Sequence, residues 1–266
     1  MTSVAAADHF SRCAGQYAAF RPRYPAALFD WLAAVTPAQD LVWDCACGSG
    51  QASVDLAGRF HRVIGTDLSA AQVAHAAAHE RVDYRVASAE ASGLPAGAFD
   101  LVTVAQALHW FDLERFYTEV RRVLRPGGVL AVWSYGVCTL PADRGDAELQ
   151  HYYREVVGPY WPPERRLVEE GYRGLPFPAP ELTTPALSMR LEWSLAQLLG
   201  YLRSWSATAR YEQALGCDPV VDFHAAIAPR WGAPENRHPV SWPLSLRAAR
   251  LAPPLSGPDA ACPSPR

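Results

Sequence analysis

Between Leu41 and Ser134 the chain reads as an α/β fold: a doubly wound, mostly parallel sheet with helices on both faces. Three observations predict it. Short apolar runs alternate with helical patterns, which is the order of a crossover-connected sheet. Those runs are near-continuously apolar, as strands buried on both faces are. A turn of small residues, "CACGSG", follows the first run directly, where ligands of doubly wound sheets bind.

The elements follow in order. Leu28, Trp31, Leu32 and Val35 recur at helical spacing behind Pro25, a residue suited to a first helical turn. Strands are predicted at Leu41–Asp44, Arg62–Thr66, Asp83–Ala87, Phe99–Ala105 and Gly128–Ser134, with helices at Gln51–Ala57, Ala70–Arg81 and Leu113–Leu124 between them. "VLRPGGVLAVW" gives a helix end, a Pro-Gly-Gly turn and a buried strand in succession. Beyond Tyr135 the text changes, and residues 141–180 are rich in Pro, Tyr, Trp and charge. Helices are expected at Asp146–Val157 and Leu195–Ala209. "RHPVSWPLSLRAARL" alternates as a late strand, confined by Pro239 and Pro243 to an edge or near-edge position. The stretch from Pro253 to Arg266 is Pro- and Ser-rich and reads as a disordered tail.

Composition narrows the function. Half of the 266 residues are apolar, enough for a large core. The net charge is −3, every cation is arginine, and no basic run exceeds a triplet. Nucleic acid and anionic membranes both need a clustered positive face, so neither is expected as a partner. No window approaches the ~20 apolar residues of a membrane span. Met1–Ala19 lacks the apolar run of a secretory signal. The six cysteines are scattered, and the Cys45–Cys47 pair has no second pair to complete a metal site. Reduced thiols, no metal and a cytoplasmic location are the expectation.

The turn carries the chemistry. Asp44 precedes six positions of nearly bare backbone, and the loop holds no Lys or Arg to neutralise phosphate. The order Ala46-x-Gly48-x-Gly50 lacks the third glycine of a dinucleotide fingerprint. Asp67 closes the next strand, "HRVIGTD", about twenty residues on, where a ribose diol lies in such folds. An ionised carboxylate is acceptor-only and takes both hydroxyl protons. The plainer reading of Asp67 is a cap or turn former before the helix that begins near Ser69.

The order "DCACGSG", "GTD", "ASAEASGLP", "FDLVTVAQALHWFD", "LRPGGVLAVW" resembles the class I S-adenosylmethionine-dependent methyltransferases. Within them it is similar to the small-molecule group that includes trans-aconitate methyltransferases, and "YAAFRPRYP" and "WPLSLRAARL" extend the likeness to about residues 8–250. The resemblance implies a Rossmann-like, seven-stranded sheet with a helical cap. It divides the chain into an N-terminal lid segment (1–36), a cofactor-binding half (37–136) and a cap with sheet completion (137–250), ahead of a tail at 251–266. It implies S-adenosyl-L-methionine as cofactor and a small molecule as methyl acceptor.

By that resemblance Asp44, Ala46, Gly48 and Gly50 lie at the methionine portion, Asp67 and Leu68 at the ribose and adenine edge, and Ala89 and Glu90 beside the adenine ring. Relatives carry glycine where Ala46 stands and often Asp where Ser88 stands. Ala105, Gln106, His109 and Trp110 follow the fourth strand and face the sulfonium. Tyr17 and Arg21 lie in the segment that folds over the cofactor. Arg23, His109, Trp110 and Trp205 are expected at the acceptor, with His109 as the candidate base. The expected reaction is O-methylation of a carboxylate or hydroxyl. Methylation of carbon or nitrogen, and cofactor binding without turnover, are the alternatives.

Overall fold

The computed structural model describes residues 22–251. Tyr17 and Arg21 therefore lie outside the described residues, as does the tail from residue 252. Seven strands form one sheet: β1 (Leu41–Cys45), β2 (Arg62–Asp67), β3 (Val82–Val86), β4 (Phe99–Ala105), β5 (Leu124–Tyr135), β6 (Leu187–Trp193) and β7 (His238–Arg250). Their order is β3-β2-β1-β4-β5-β7-β6. The first five run parallel, and β7 lies antiparallel between β5 and β6.

The chain winds outward from β1 through β2 to β3, then returns to place β4 on β1's other side. That reversal opens a crevice at the carboxyl ends of β1 and β4. The amino ends of the same strands are tied shut, because Asp100 accepts the backbone N–H groups of Asp40 and Leu41 and pairs with Arg125 at 2.7 Å.

Helices α1 (Ala26–Val35) and α2 (Gln51–Ala57) cover one face of the sheet. Leu28, Phe29 and Leu32 of α1 are buried there, and Phe29 meets Trp133 edge-on at 6.4 Å. The other face is covered by α4 (Leu113–Val123), which Asp112 caps by accepting Arg115 N–H. Its Arg121 and Arg122 stand in the last turn, where the helix dipole favours cations. Between β2 and β3 lies the single helical turn and a half of α3 (Ala70–Ala74). The region after β5 adds α5 (Asp146–His151), α6 (Arg165–Glu169), α7 (Leu195–Arg203), α8 (Ser206–Leu215) and α9 (Val220–Trp231).

Three expectations need correction, and one strand has no counterpart among them. The helix predicted over Ala70–Arg81 stops at Ala74, with none of its residues buried. Without an apolar stripe to dock, the chain turns instead, and Ala77 N–H bonds to Ser49 of the loop at 3.0 Å. The helix predicted over Asp146–Val157 passes into a wider π turn at Tyr152–Val156. The helix predicted over Leu195–Ala209 breaks at Trp205, which is extended (φ −73°, ψ 137°). Edge strand β6 was not predicted at all.

The prolines of β7 sit where the strand tolerates them. Ser241 donates its N–H to Thr139, away from β6, so the odd positions Pro239 and Pro243 face that same side. Pairing with β5 begins only at Leu244, so neither proline removes a bond from that ladder. The strand is therefore near the edge and not on it.

Candidate active site

The crevice is built from two strand ends in left-handed backbone. After β1, Ala46 has φ 55°, Gly48 φ 54° and Gly50 φ 81°; after β4, Gln106 has φ 62°. Left-handed alanine costs about 1–2 kcal/mol, which packing elsewhere must hold. The loop is held by bonds at each turn. Cys47 N–H donates to Thr66 O, Gly50 N–H to Cys47 O, and Gly48 N–H to Asp67 Oδ2, each at 2.9 Å. Gln106 donates its N–H to Trp133 O at 2.9 Å and its Nε2 to Tyr135 O at 3.1 Å.

Gly50 is required for a second reason. A Cβ there would stand 2.0 Å from the Tyr84 hydroxyl, and one at Gly65 would stand 2.8 Å from the Tyr84 ring. Tyr84 fills the space both glycines leave and donates to Ala77 O at 3.0 Å. Loop, β2 and the turn before β3 are thereby packed through one ring.

Asp67 joins the loop to α3. Its second oxygen accepts Ser69 N–H at 2.8 Å, while Ser69 itself caps the helix by accepting Gln72 N–H. The plainer reading of Asp67 as a turn former is thus correct, and it does not exhaust the carboxylate. Each oxygen keeps a lone pair, and the residue is half-buried beside Leu68, an apolar side chain 53 % exposed.

Asp44, expected at the cofactor's methionine portion, is buried below the loop. It accepts the hydroxyls of Ser53 (2.5 Å) and Thr103 (2.8 Å). Burial raises its pKa to about 6, partly opposed by those two hydroxyls, with the nearby Asp67 charge raising it further. It acts on the loop from beneath. Glu90, like Asp67, uses one lone pair of each oxygen: it accepts the Ser88 hydroxyl and, at 3.1 Å, the backbone N–H of Asp112. It braces the β3 end, with buried Ala89, against the cap of α4.

His109 follows β4 in a short 3₁₀ turn (Leu108–Trp110). Its Nδ1 lies 3.0 Å from the Tyr172 hydroxyl, and the two rings stack at 5.8 Å. Tyr172 is buried and itself left-handed at φ 60°. The buried phenol needs an acceptor for its proton, and among the described residues His109 Nδ1 is the one it meets. The network therefore assigns the Tyr172 proton to His109 Nδ1, leaving the neutral imidazole with its proton on Nε2. Burial, aided by the Arg165 charge, lowers the His109 pKa to about 4. Near neutral pH the imidazole is therefore uncharged.

Trp205, expected at the acceptor, is buried in an aromatic cluster with Tyr152, Tyr153, Trp161 and Tyr201 at centroid distances of 5.4–6.1 Å. Arg165 stands at its border, over Trp161 at 4.7 Å and donating to Tyr153 at 2.9 Å. Trp110 packs on His109 at 4.7 Å and is 42 % exposed. Arg23 is exposed, and its charge bears on Asp55 of α2. Sequence reasoning missed Tyr172, Tyr84, Arg165 and Tyr153. Only Arg165, in the charge- and Trp-rich "YWPPERR", left any trace. A separate cavity of about 550 Å³, lined by His151, Tyr211, Asp222 and Phe223 among others, contains none of the crevice residues. Among the described residues no cluster of three His, Cys, Asp or Glu could hold a metal.

Comparison with known proteins agrees with this fold. Residues 43–132 match a methyltransferase domain family. A candidate methyltransferase of Dictyostelium discoideum is 37 % identical over 224 residues, covering 83 % of this chain and 85 % of its own. The solved structure of a candidate type II methyltransferase from Anaeromyxobacter dehalogenans is 47 % identical. It covers 88 % of this chain and 99 % of its own, with a TM-score of 0.85. A candidate S-adenosylmethionine-dependent methyltransferase of Saccharomyces cerevisiae is 32 % identical over 125 residues, 43 % of each chain.

The residues present fit that cofactor. S-adenosylmethionine brings a ribose diol, an adenine and a zwitterionic tail but no phosphate. The crevice offers Asp67 with open lone pairs, exposed Leu68 and bare left-handed backbone, and no cation from Asp44 to Gly50. The chain belongs to the class I S-adenosylmethionine-dependent methyltransferases, and it is an enzyme of that family.

Proposed function

We propose that the protein methylates an oxygen of a small molecule, a carboxylate or a hydroxyl, in a chamber between His109 and the aromatic cluster of the helical region. The observation that carries this reading is the neutral, partly buried His109, held by Tyr172 at the carboxyl end of β4. When bound, S-adenosylmethionine supplies a methyl carbon already activated by positive sulfur. The chain's part is alignment and exclusion of water, which together supply much of the acceleration of an in-line displacement.

In this reading Asp67 takes the ribose hydroxyls and Leu68 the adenine edge, with Ala89 and Glu90 along the ring. The backbone of Ala46, Gly48 and Gly50 receives the methionine portion, above the buried Asp44. Ala105 and Gln106 form the floor beneath the transferred methyl group. His109 offers its Nε2–H to the acceptor oxygen and orients it; a pKa of about 4 makes it a poor base near neutrality. Trp110 and Trp205 contribute apolar walls. Tyr17 and Arg21 lie outside the described residues; with Arg23 they keep the roles the resemblance implies for the N-terminal segment 1–36, ahead of the halves at 37–136 and 137–250. The narrower likeness to trans-aconitate methyltransferases supports a small acceptor, as does the lack of any basic run longer than a triplet. A cytoplasmic location is part of the same proposal, supported by the free Cys45, Cys47, Cys138 and Cys217.

The test is incubation of the full chain with trideuteromethyl-labelled cofactor and a metabolite extract, followed by mass spectrometry. A labelled ester or ether is expected. Label on carbon or nitrogen, or no labelled product in any fraction, would overturn the proposal.

A further inference from the structure

Arg165 is the least expected charge in the molecule. Its side chain is only 22 % exposed, and an isolated buried cation is costly. One edge of the guanidinium is committed: Nε donates to the Tyr153 hydroxyl and lies 3.6 Å from Glu169, whose side chain is 40 % exposed. The two terminal nitrogens make no hydrogen bond within the described residues. The guanidinium lies over Trp161, and the Trp161 indole N–H is itself buried without a partner. Two neighbouring side chains thus hold donors, that of Trp161 fully buried, for which the described residues supply no acceptor.

Geometry ties this cluster to the site. Tyr172, which holds His109, donates its N–H to Leu167 of α6 at 2.8 Å, two residues from Arg165. On its other side Tyr153 meets Trp205 edge-on at 5.6 Å. We infer that Arg165 anchors a carboxylate of the methyl acceptor, making the acceptor an organic acid with a flat or chain-like apolar body lying along Trp161 and Trp205. The inference rests on the reading above that the acceptor lies opposite His109. A carboxylate has two coplanar oxygens that match the fork of a guanidinium's terminal nitrogens. Trp161 beneath holds the guanidinium plane by a cation–π contact, so the fork is set before the acceptor arrives. Glu169 and Tyr153 fix the Nε edge and leave the terminal edge open. Glu169 balances the charge at the Nε edge, but a neutral alcohol or amide would not fill the terminal fork with two coplanar acceptors, so the cluster selects for acids.

The test uses the full chain saturated with S-adenosylhomocysteine. Phenylacetate, indole-3-acetate and octanoate are titrated against their primary amides by calorimetry. At least one acid is expected to bind about ten-fold more tightly than its amide. Arg165→Met should erase that preference while the amide's affinity is kept, and Arg165→Lys should retain part of it. Glu169→Gln, which removes the competing carboxylate, should keep or enlarge it. Thermal melting of each variant reports whether it is folded. Equal binding of acids and amides by the wild type, or a preference that survives in folded Arg165→Met, overturns the inference. A labelled oxygen product in the extract experiment without any acid preference would sink the Arg165 anchor alone. Failure to bind S-adenosylhomocysteine would sink the reading beneath it.

Discussion

The Tyr172 hydroxyl donates a hydrogen bond to Nδ1 of the neutral His109 across 3.0 Å, although 63 positions separate them in the chain. The bond joins the end of β4 to the segment that follows α6, and it decides which nitrogen of the imidazole faces the crevice. Turnover should therefore be insensitive to His109 ionisation from pH 6 to 9, since its pKa lies near 4. Tyr172→Phe leaves Nδ1 unpaired and frees the ring to turn, at a cost of about 1 kcal/mol or a several-fold loss of kcat, with cofactor affinity unchanged. A kcat limb with a pKa of 6–7 that disappears in His109→Asn would instead make the imidazole a base.

Asp67 holds Gly48 and Ser69 with one oxygen each. Asp67→Ala strands both of those donors and, with cofactor bound, two ribose hydroxyls. Several such losses, each about 1 kcal/mol, predict a reduction in cofactor affinity of several tens of fold at least. Calorimetry with S-adenosylhomocysteine measures it directly, and near-normal binding rejects the ribose assignment.

Ala46 stands at φ 55°. Glycine reaches that conformation without the Cβ penalty, while its more flexible unfolded chain offsets part of the gain. Ala46→Gly should raise stability by up to about 1 kcal/mol and tighten cofactor binding. Urea titration decides the first and calorimetry the second. A destabilised Ala46→Gly protein would mean that the methyl group packs usefully against the loop.

Asp44 makes a pH prediction with a definite sign. Folded, it keeps its proton to about pH 6; unfolded, it releases it near 4. Between those values the folded state binds more protons, so this residue makes the protein less stable as pH rises from about 4 to about 6. Above that window the loss is constant, on the order of 3 kcal/mol. His109, with its lowered pKa, acts in the opposite direction: its contribution is lost as pH falls from about 6.5 to about 4. The two nearly cancel in the wild type, so the variant must be compared with it at each pH. The stability of Asp44→Asn relative to wild type should climb through pH 4–6 and then level off. A difference that stays flat across pH would show an Asp44 that ionises normally.

The sequence alone was enough for β1 to β5 and for the turn of small residues at the carboxyl end of β1. Apolar runs of strand length, a turn of bare backbone and an Asp at the next strand end are local patterns. They predict β1 to β5 because burial and backbone access are written residue by residue, while the cofactor is what the resemblance to the class I methyltransferases implies. What only the tertiary structure decided are pairings between distant segments. Tyr84 fills the space of Gly50 and Gly65, Ser53 and Thr103 meet over Asp44, and Tyr172 reaches His109. The short α3 and the break at Trp205 belong with these, because packing and not propensity ends both helices. Local sequence encodes what each side chain can do. Whether His109 carries a charge, or Arg165 an unfilled edge, depends on how much water the rest of the fold leaves beside it.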